Sequence, residues 1–451
     1  MAEAPNSTPA KPPAAAPTRP KLLSLDDALT RLLAVARERV IPEIEKIATF
    51  DALGRVLAKP VVSGLDVPPA DNSAMDGYAV RAADVAQAGA VLPVSQRLPA
   101  GVVGTPLLPG TAARIFTGAH LPPGADAVVM QEHCEALADG AGDATLQPGL
   151  GRVRVLNAPQ AGQWIRRRGE DVQHGAEVLA AGCRLSPQAL GLAAAVGASR
   201  LSVRRRPRVA LFSTGDELVM PGDSLRPGAI YNSNRFMLRG LLQAAGCEVT
   251  DLGIVPDQLE ATRAALREAA RHNDLILSSG GVSVGEEDHV KPAVKAEGWL
   301  EAWALAIKPG KPLAFGAVRR EATEGGGDAG EALFMGLPGN PVSGFVTFLL
   351  AVAPVLRAIQ GCGGAAGGGA DGLPPAVMVR ADFDWPSPDA RREFLRARFN
   401  AQGGVELFAN QSSGVLTSAV WADGLVDNPS GQVVRRGDPV RLLLLSTLIG
   451  A

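Results

Sequence analysis

Residues Leu275 to Val290 read LILSSGGVSVGEEDHV, and Gly281-Val282-Ser283-Val284-Gly285 within them fits the G-x-S-x-G pattern of a serine nucleophile elbow. An elbow of that kind needs an acid and then a histidine, brought in by a later strand. The only histidine after Ser283 is the local His289, so serine hydrolysis is excluded. A P-loop fails as well, because Gly310-Lys311 is followed by Pro312 rather than by Ser or Thr. What remains is an oxyanion cradle or only a turn, and the recurrence of such loops favours the cradle. Apolar runs end in STGDEL (Ser213 to Leu218), SGGVSVGEED (Ser279 to Asp288), KPGKP (Lys308 to Pro312) and LPGNP (Leu337 to Pro341). Glycine turns expose backbone N–H groups, and Lys308 and Lys311 add positive charge, which suits phosphate or a similar anion. Glu217, Glu286, Glu287 and Asp288 lie beside these loops and would repel it. A hard cation such as Mg2+, held by one or two carboxylates and the phosphate oxygens, reconciles the two; the alternative for the acids is a place in a helix first turn. By composition alone DNSAMDGYAV (Asp71 to Val80) is a polar turn and IRRRGEDV (Ile165 to Val172) a surface charge cluster.

Elements must bring such loops together. RVALFSTG, CEVTDLGIV and DLILSSGG read as strands, separated by a helix from about Asn234 to Ala245, stopped by Gly246, and by DQLEATRAALREAARH, which Asp257 can N-cap. Strands alternating with helices predict a parallel sheet whose ligands bind beyond the strands' carboxyl ends. WALAI and ALFMG are taken as further strands of it, and NPVSGFVTFLLAVAPVLRAIQ as the closing helix. Ser24 opens an earlier helix with Leu25, Ala28, Leu29, Leu32 and Leu33 on one face. From about Val61 to Val203, short apolar runs between Gly, Pro, Asn and Asp clusters predict short strands and turns. RRRP (Arg204 to Pro207) marks a boundary, GCGGAAGGGADGLPP (Gly361 to Pro375) a flexible linker, and the remainder a small all-β domain.

The formal net charge of −2 over 451 residues supplies no basic field for nucleic acid. Cys134, Cys183, Cys247 and Cys362 form no C-x-x-C pair, and no H-E-x-x-H occurs, so zinc-ribbon, thioredoxin and zincin chemistry are excluded. Separated thiols fit a reducing cytosol. The Pro- and Ala-rich first residues lack a signal-peptide apolar region, and FVTFLLAVAPVLRAI is short for a span and holds Pro354 and Arg357. A cytoplasmic protein without membrane contact is expected.

Taken in order, DNSAMDGYA, RIFTGA, RRRGED, STGDEL, SSGGVSVGEED, IKPGKP and LPGNPVS resemble the molybdopterin molybdenumtransferase family, bacterial relatives of the E domain of gephyrin, from about residue 21 to 451. The resemblance implies insertion of molybdate into adenylylated molybdopterin, with cleavage of the adenylate, release of AMP and support from Mg2+. It implies an elongated, multidomain α/β homodimer. The parts would be a discontinuous domain (21–70 and 169–206), an inserted, mostly β motif domain (71–168), the molybdopterin-binding α/β domain (207–360) and a C-terminal β domain (373–451), with 1–20 a tail and 361–372 a linker. Asp76, Thr117, Asp171, Glu217, Asp257 and Asp288 resemble catalytic positions, the last two also holding the cation. Ser213, Thr214, Gly215, Ser279, Gly280, Gly281, Ser283, Pro338, Gly339, Asn340 and Pro341 would contact the pterin substrate. Lys308, Lys311, Ser343 and Ser413 resemble the molybdate group, joined by Arg392 or Arg396 of REFLR, with Arg396 preferred. Further implied partners are the molybdopterin adenylyltransferase and acceptor molybdoenzymes. A gephyrin-like scaffold and a tungstate-selective or pyrophosphatase-type relative are the alternatives; intact acids favour the enzyme.

Overall fold

The structure, a computed structural model, describes residues 22–138, 150–282, 289–321, 330–363, 373 and 375–449. Ser283, Glu286, Glu287 and Asp288 lie outside the described residues. The chain divides into two compact units, Ile44–Val203 and Met1–Glu43 with Arg204–Ala451.

The larger unit is built on a six-stranded sheet, in the order Glu248–Val255, Arg208–Thr214, Leu275–Ser279, Glu331–Leu337, Pro312–Arg319 and Gly298–Ala304. The first four are parallel. Alternate side chains go to opposite faces, as a strand's period of two requires. Val209, Leu211, Leu275, Leu277, Leu333 and Met335 meet the helices Leu25–Arg37, Ser233–Ala244 and Pro341–Ile359. Ala210, Phe212, Ile276 and Phe334 meet Leu259–His272 and Val290–Glu297. Both faces are covered, which explains why these strands read as unbroken apolar runs.

Local chemistry sets the helix ends. Ser24 accepts from the Asp27 backbone N–H at 3.0 Å and donates to its carboxylate at 2.7 Å, closing the first turn of Leu25–Arg37. The expected cap by Asp257 is not made: Gln258, in extended backbone, stands at the cap of Leu259–His272 and no side chain caps it. The closing helix runs from Pro341 through a wide π segment, Phe348–Val352, into Ala353–Ile359. Pro354 has no N–H to give and crowds the turn before it; the widened segment takes up that misfit. This helix has the length and apolarity to cross a membrane, and 94% of its most apolar window is buried inside the unit.

The C-terminal part is not all β. Its sheet orders Ile307–Lys308, Arg392–Phe399, Gly424–Asn428, Pro439–Leu444 and Val377–Arg380, with Val405–Leu407 beside Arg392–Phe399. Short helices Leu416–Trp421 and Leu445–Ile449 pack on it. Their few apolar positions are shared with the main core, so no amphipathic period marks them in sequence. The strand Ile307–Lys308 comes from the middle of the chain and pairs in parallel with Arg392 and Glu393.

The smaller unit contains a six-stranded sheet with strands Ala127–Met130, Gly77–Val80, Ala112–Ile115, Ala90–Leu98, Arg152–Val155 and Cys134–Leu137 in that order. Short strands and turns dominate, as the sequence suggests. The exception is the helix Pro187–Ala195, signalled by Ser186 at the cap and Pro187 in the first turn.

Candidate active site

Three parallel strands of the larger unit end side by side: Ser213 pairs with Ser279, and Ser279 with Leu337. The apolar run WALAI predicts one more strand of a parallel sheet. Only its Trp303 and Ala304 lie in that sheet, closing the strand Gly298–Ala304, while Ile307 pairs in the C-terminal sheet. Gly298–Ala304 is antiparallel to Pro312–Arg319, which in turn is antiparallel to Glu331–Leu337. Two reversals restore the direction. The KPGKP loop therefore leaves the sheet at the same edge as the other motif loops.

Close backbone contact joins the loops there. Gly280 and Gly281 have φ of 92° and 67°, a left-handed conformation that favours glycine. A Cβ on Gly280 would lie 2.8 Å from the Thr214 carbonyl oxygen, and one on Gly281 2.3 Å from Val290 Cγ2. The Gly280 N–H donates to Leu337 O at 3.1 Å. Asn234 supplies a further tie that sequence reasoning passed over as a helix start: its Nδ2 donates to Ser279 Oγ at 2.9 Å and to Gly339 O at 2.7 Å. At Gly215 a Cβ would lie 2.5 Å from Glu217 Oε2, so the Glu217 carboxylate folds back over its own loop. Asn340 stands at the cap of the Pro341 helix, yet its side chain makes no capping bond.

Asp257 lies at the same edge, where its carboxylate accepts a long hydrogen bond, 3.4 Å, from the Thr214 hydroxyl. Among the described residues no group of three His, Cys, Asp or Glu side chains could hold a metal ion. A protein-only cage is therefore not what these residues make. A half-buried carboxylate beside a phosphate-type loop does fit Mg2+, which keeps waters and takes much of its coordination from substrate phosphates.

The second group lies next along the edge. Gly310 packs on the closing helix so tightly that a Cβ would be 2.5 Å from Thr347 Oγ1 and 3.5 Å from Ser343 O. The Val342 N–H donates to Ser413 O at 3.0 Å, which docks the NQSSG loop on the start of that helix. Arg396, 1% exposed, reaches the same loop: its guanidinium donates to Ser418 Oγ at 3.1 Å, Phe394 O at 3.2 Å and Ser412 O at 3.4 Å. Burial pushes it down to about 10, still charged at neutral pH, and none of these partners is a carboxylate. Gln411, which carried no sequence signal, holds the Arg396 main chain from both sides. Arg392 is committed elsewhere, to both oxygens of Asp427 at 2.6 and 2.7 Å and to Asp26 at 3.0 Å. Lys308 lies between Asp389 at 3.4 Å and the fully buried Glu393 at 3.3 Å, which offset its charge. Lys311 is exposed.

In the smaller unit a separate cluster forms. The strand Asn72–Ser73 pairs with Ile165–Arg166, bringing DNSAMDG against RRRGED. Asp71 accepts from Arg167 Nη1 at 2.7 Å and the Arg168 N–H at 2.8 Å. RIFTGA joins through Gly118 N–H to Ser73 O at 2.8 Å. Asp76 and Thr117 are hydrogen bonded; Asp171 is exposed, its N–H donating to Val67 O at 3.0 Å.

Comparison with known proteins gives these motifs a common origin. Residues 23–197 match the MoeA N-terminal region (domain I and II), 210–358 a probable molybdopterin binding domain, and 378–445 the MoeA C-terminal region (domain IV). A molybdopterin molybdenumtransferase of Haemophilus influenzae is 40% identical over 75% of this chain and 78% of its own length. One from Nostoc is 36% identical over 89% of each. A crystal structure of the molybdopterin biosynthesis MoeA protein of Pyrococcus horikoshii superposes with a TM-score of 0.75 at 30% identity, covering 94% of this chain and all of that one. With four motif loops on one edge of the larger unit's sheet, three clustered in the smaller unit, and relatives matched over most of its length, the chain belongs to the molybdopterin molybdenumtransferase family.

Proposed function

We propose that this chain is the transferase that inserts molybdate into adenylylated molybdopterin, breaking the bond to adenylate and releasing AMP. It is an enzyme of molybdenum cofactor biosynthesis. The observation that carries the finer reading is Arg396, a buried cation with no carboxylate partner among the described residues, beside Ser413 and the Ser343 helix. A buried unpaired charge is costly unless an anion completes it. Molybdate, a tetrahedral dianion, is suited to that position, with Lys311, Ser343 and Ser413 near it and Lys308 at its margin.

In this reading the loops bearing Thr214, Gly215, Gly281 and Gly339 hold the pterin phosphate through backbone donors, Gly280 fixes their spacing through its bond to Leu337 O, and Ser213, Ser279, Pro338, Asn340 and Pro341 shape the edge. Fixed donors of this kind stabilise charge as it moves onto a leaving phosphate. Asp257, with Asp288 outside the described residues, would hold Mg2+, which supplies neutralising charge to the phosphates. Asp76, Thr117 and Asp171 act from the smaller unit, and Glu217 from its glycine loop. The thiolate ligands of the metal belong to the substrate, so no protein cysteine is required. The homodimer, the cytoplasmic location and the division into domains by residue number belong to the same proposal. Incubating the protein with adenylylated molybdopterin, Mg2+ and molybdate should release AMP. Absence of molybdate-dependent release would sink the reading.

A further inference from the structure

We propose that Asn234 is a positioning residue that sets the spacing of the loops receiving the phosphate end of the substrate; this rests on the reading of that edge just given. Three features single it out. Asn232, two residues earlier, already caps the helix by accepting from the Arg235 N–H at 3.1 Å, so Asn234 is free of local capping work. Its amide orientation is fixed by chemistry: Gly339 O, at 2.7 Å, can only accept, so Nδ2 must face it. The same nitrogen reaches Ser279 Oγ at 2.9 Å. One amide group thus ties the end of the Leu275–Ser279 strand to the loop after Glu331–Leu337. Among the described residues its Oδ1 is buried without a partner. A native fold rarely keeps a buried polar atom unmatched for packing alone, and such exceptions concentrate where function over-determines the geometry.

The tie acts where the two loops meet: a Cβ on Gly339 would stand 4.0 Å from Gly280 Cα, in ordinary van der Waals contact. If Asn234 is lost, the Gly280–Leu337 backbone bond is the tie that remains between the loops among the described residues. The donors that must converge on one phosphate then drift apart.

The test compares wild type with Asn234→Ala and the isosteric Asn234→Asp in the full chain. A misplacement of about 1 Å costs on the order of 10²-fold, and Asn234→Ala, which leaves one backbone tie, should raise KM for adenylylated molybdopterin about tenfold. The half-saturating concentration of molybdate should hardly move. Asn234→Asp offers no donor when ionised; its KM defect should shrink as the pH falls and its carboxyl regains a proton, a trend wild type lacks. Unchanged KM in Asn234→Ala, with only a lowered Tm, would reduce Asn234 to a packing residue and overturn the proposal. So would an equal rise in the molybdate requirement. If wild type releases no AMP, the activity reading falls first, and equilibrium binding of adenylylated molybdopterin decides this one: weaker binding by Asn234→Ala supports it, equal binding or none by wild type overturns it.

Discussion

Asp76 and Thr117 lie 41 positions apart, yet one carboxylate oxygen, Asp76 Oδ1, accepts both the Thr117 N–H at 2.8 Å and its hydroxyl at 2.7 Å. The hydroxyl is the largest of the influences holding the Asp76 carboxyl below its ordinary value, and the N–H and the Arg114 charge add to it. Thr117→Val keeps the N–H and removes the hydroxyl. The Asp76 pKa should then rise, so the acidic limb of the pH profile for AMP release moves to higher pH. A profile unchanged in shape would separate Asp76 from the rate. Asp76→Asn should lower turnover by about 10²-fold, the lower range for a positioned ionised group.

Arg396 makes a prediction through linkage. Burial holds its folded pKa down at about 10, below the ordinary arginine value. The unfolded chain therefore binds more protons above that pH, and stability rises as pH climbs through 10. An anion beside the guanidinium favours the charged form and flattens this trend. Molybdate at a hundred times its Kd should stabilise wild type by about 2.7 kcal/mol and leave Arg396→Met unmoved. Thermal melts with and without molybdate, from pH 8 to 11, measure both. Equal stabilisation of the variant would remove Arg396 from the oxyanion site.

The two lysines of KPGK should separate. Lys308 balances the buried Glu393, whose other oxygen accepts from Trp385 Nε1 at 2.7 Å. Lys308→Ala strips the cation from that carboxylate and should cost about 1–3 kcal/mol of stability along with molybdate stimulation. Lys311 is exposed, so Lys311→Ala should weaken the molybdate response at constant Tm. A Tm loss in both variants, or in neither, would contradict this division.

Asp257→Asn keeps an acceptor for Thr214 but halves the ligand's appeal to a hard cation. The Mg2+ concentration giving half-maximal AMP release should rise about tenfold, with pterin binding in the absence of Mg2+ unaltered. An unchanged Mg2+ requirement would assign the cation to other groups.

What the sequence disclosed, and what it withheld, follows from the range of each interaction. Glycine turns after apolar runs are local, so the motif loops are legible in the sequence. The Ser24 cap was visible for the same reason. The Asp257 cap was not realised because Pro256 and an extended Gln258 move the helix start one residue on, leaving Asp257 for Thr214. Arg392 and Arg396 are four apart in one strand, hence on the same face by periodicity, and no local pattern tells them apart. Their neighbours do: Asp427 and Asp26 take one, while Gln411, Ser412 and Ser418 surround the other. Glu393 and Asp389 reach Lys308 from more than eighty positions away in sequence, beyond any window that reads propensity.

The pairing of Ile307–Lys308 with Arg392–Phe399 changes the meaning of the glycine-rich stretch between the α/β and C-terminal regions. By composition that stretch is a linker, and most of it lies outside the described residues. The regions on either side of it share a strand ladder and one apolar core, so docking fixes where the C-terminal residues sit. A chain cut between the two regions and supplied as two fragments would retain the information needed to rejoin.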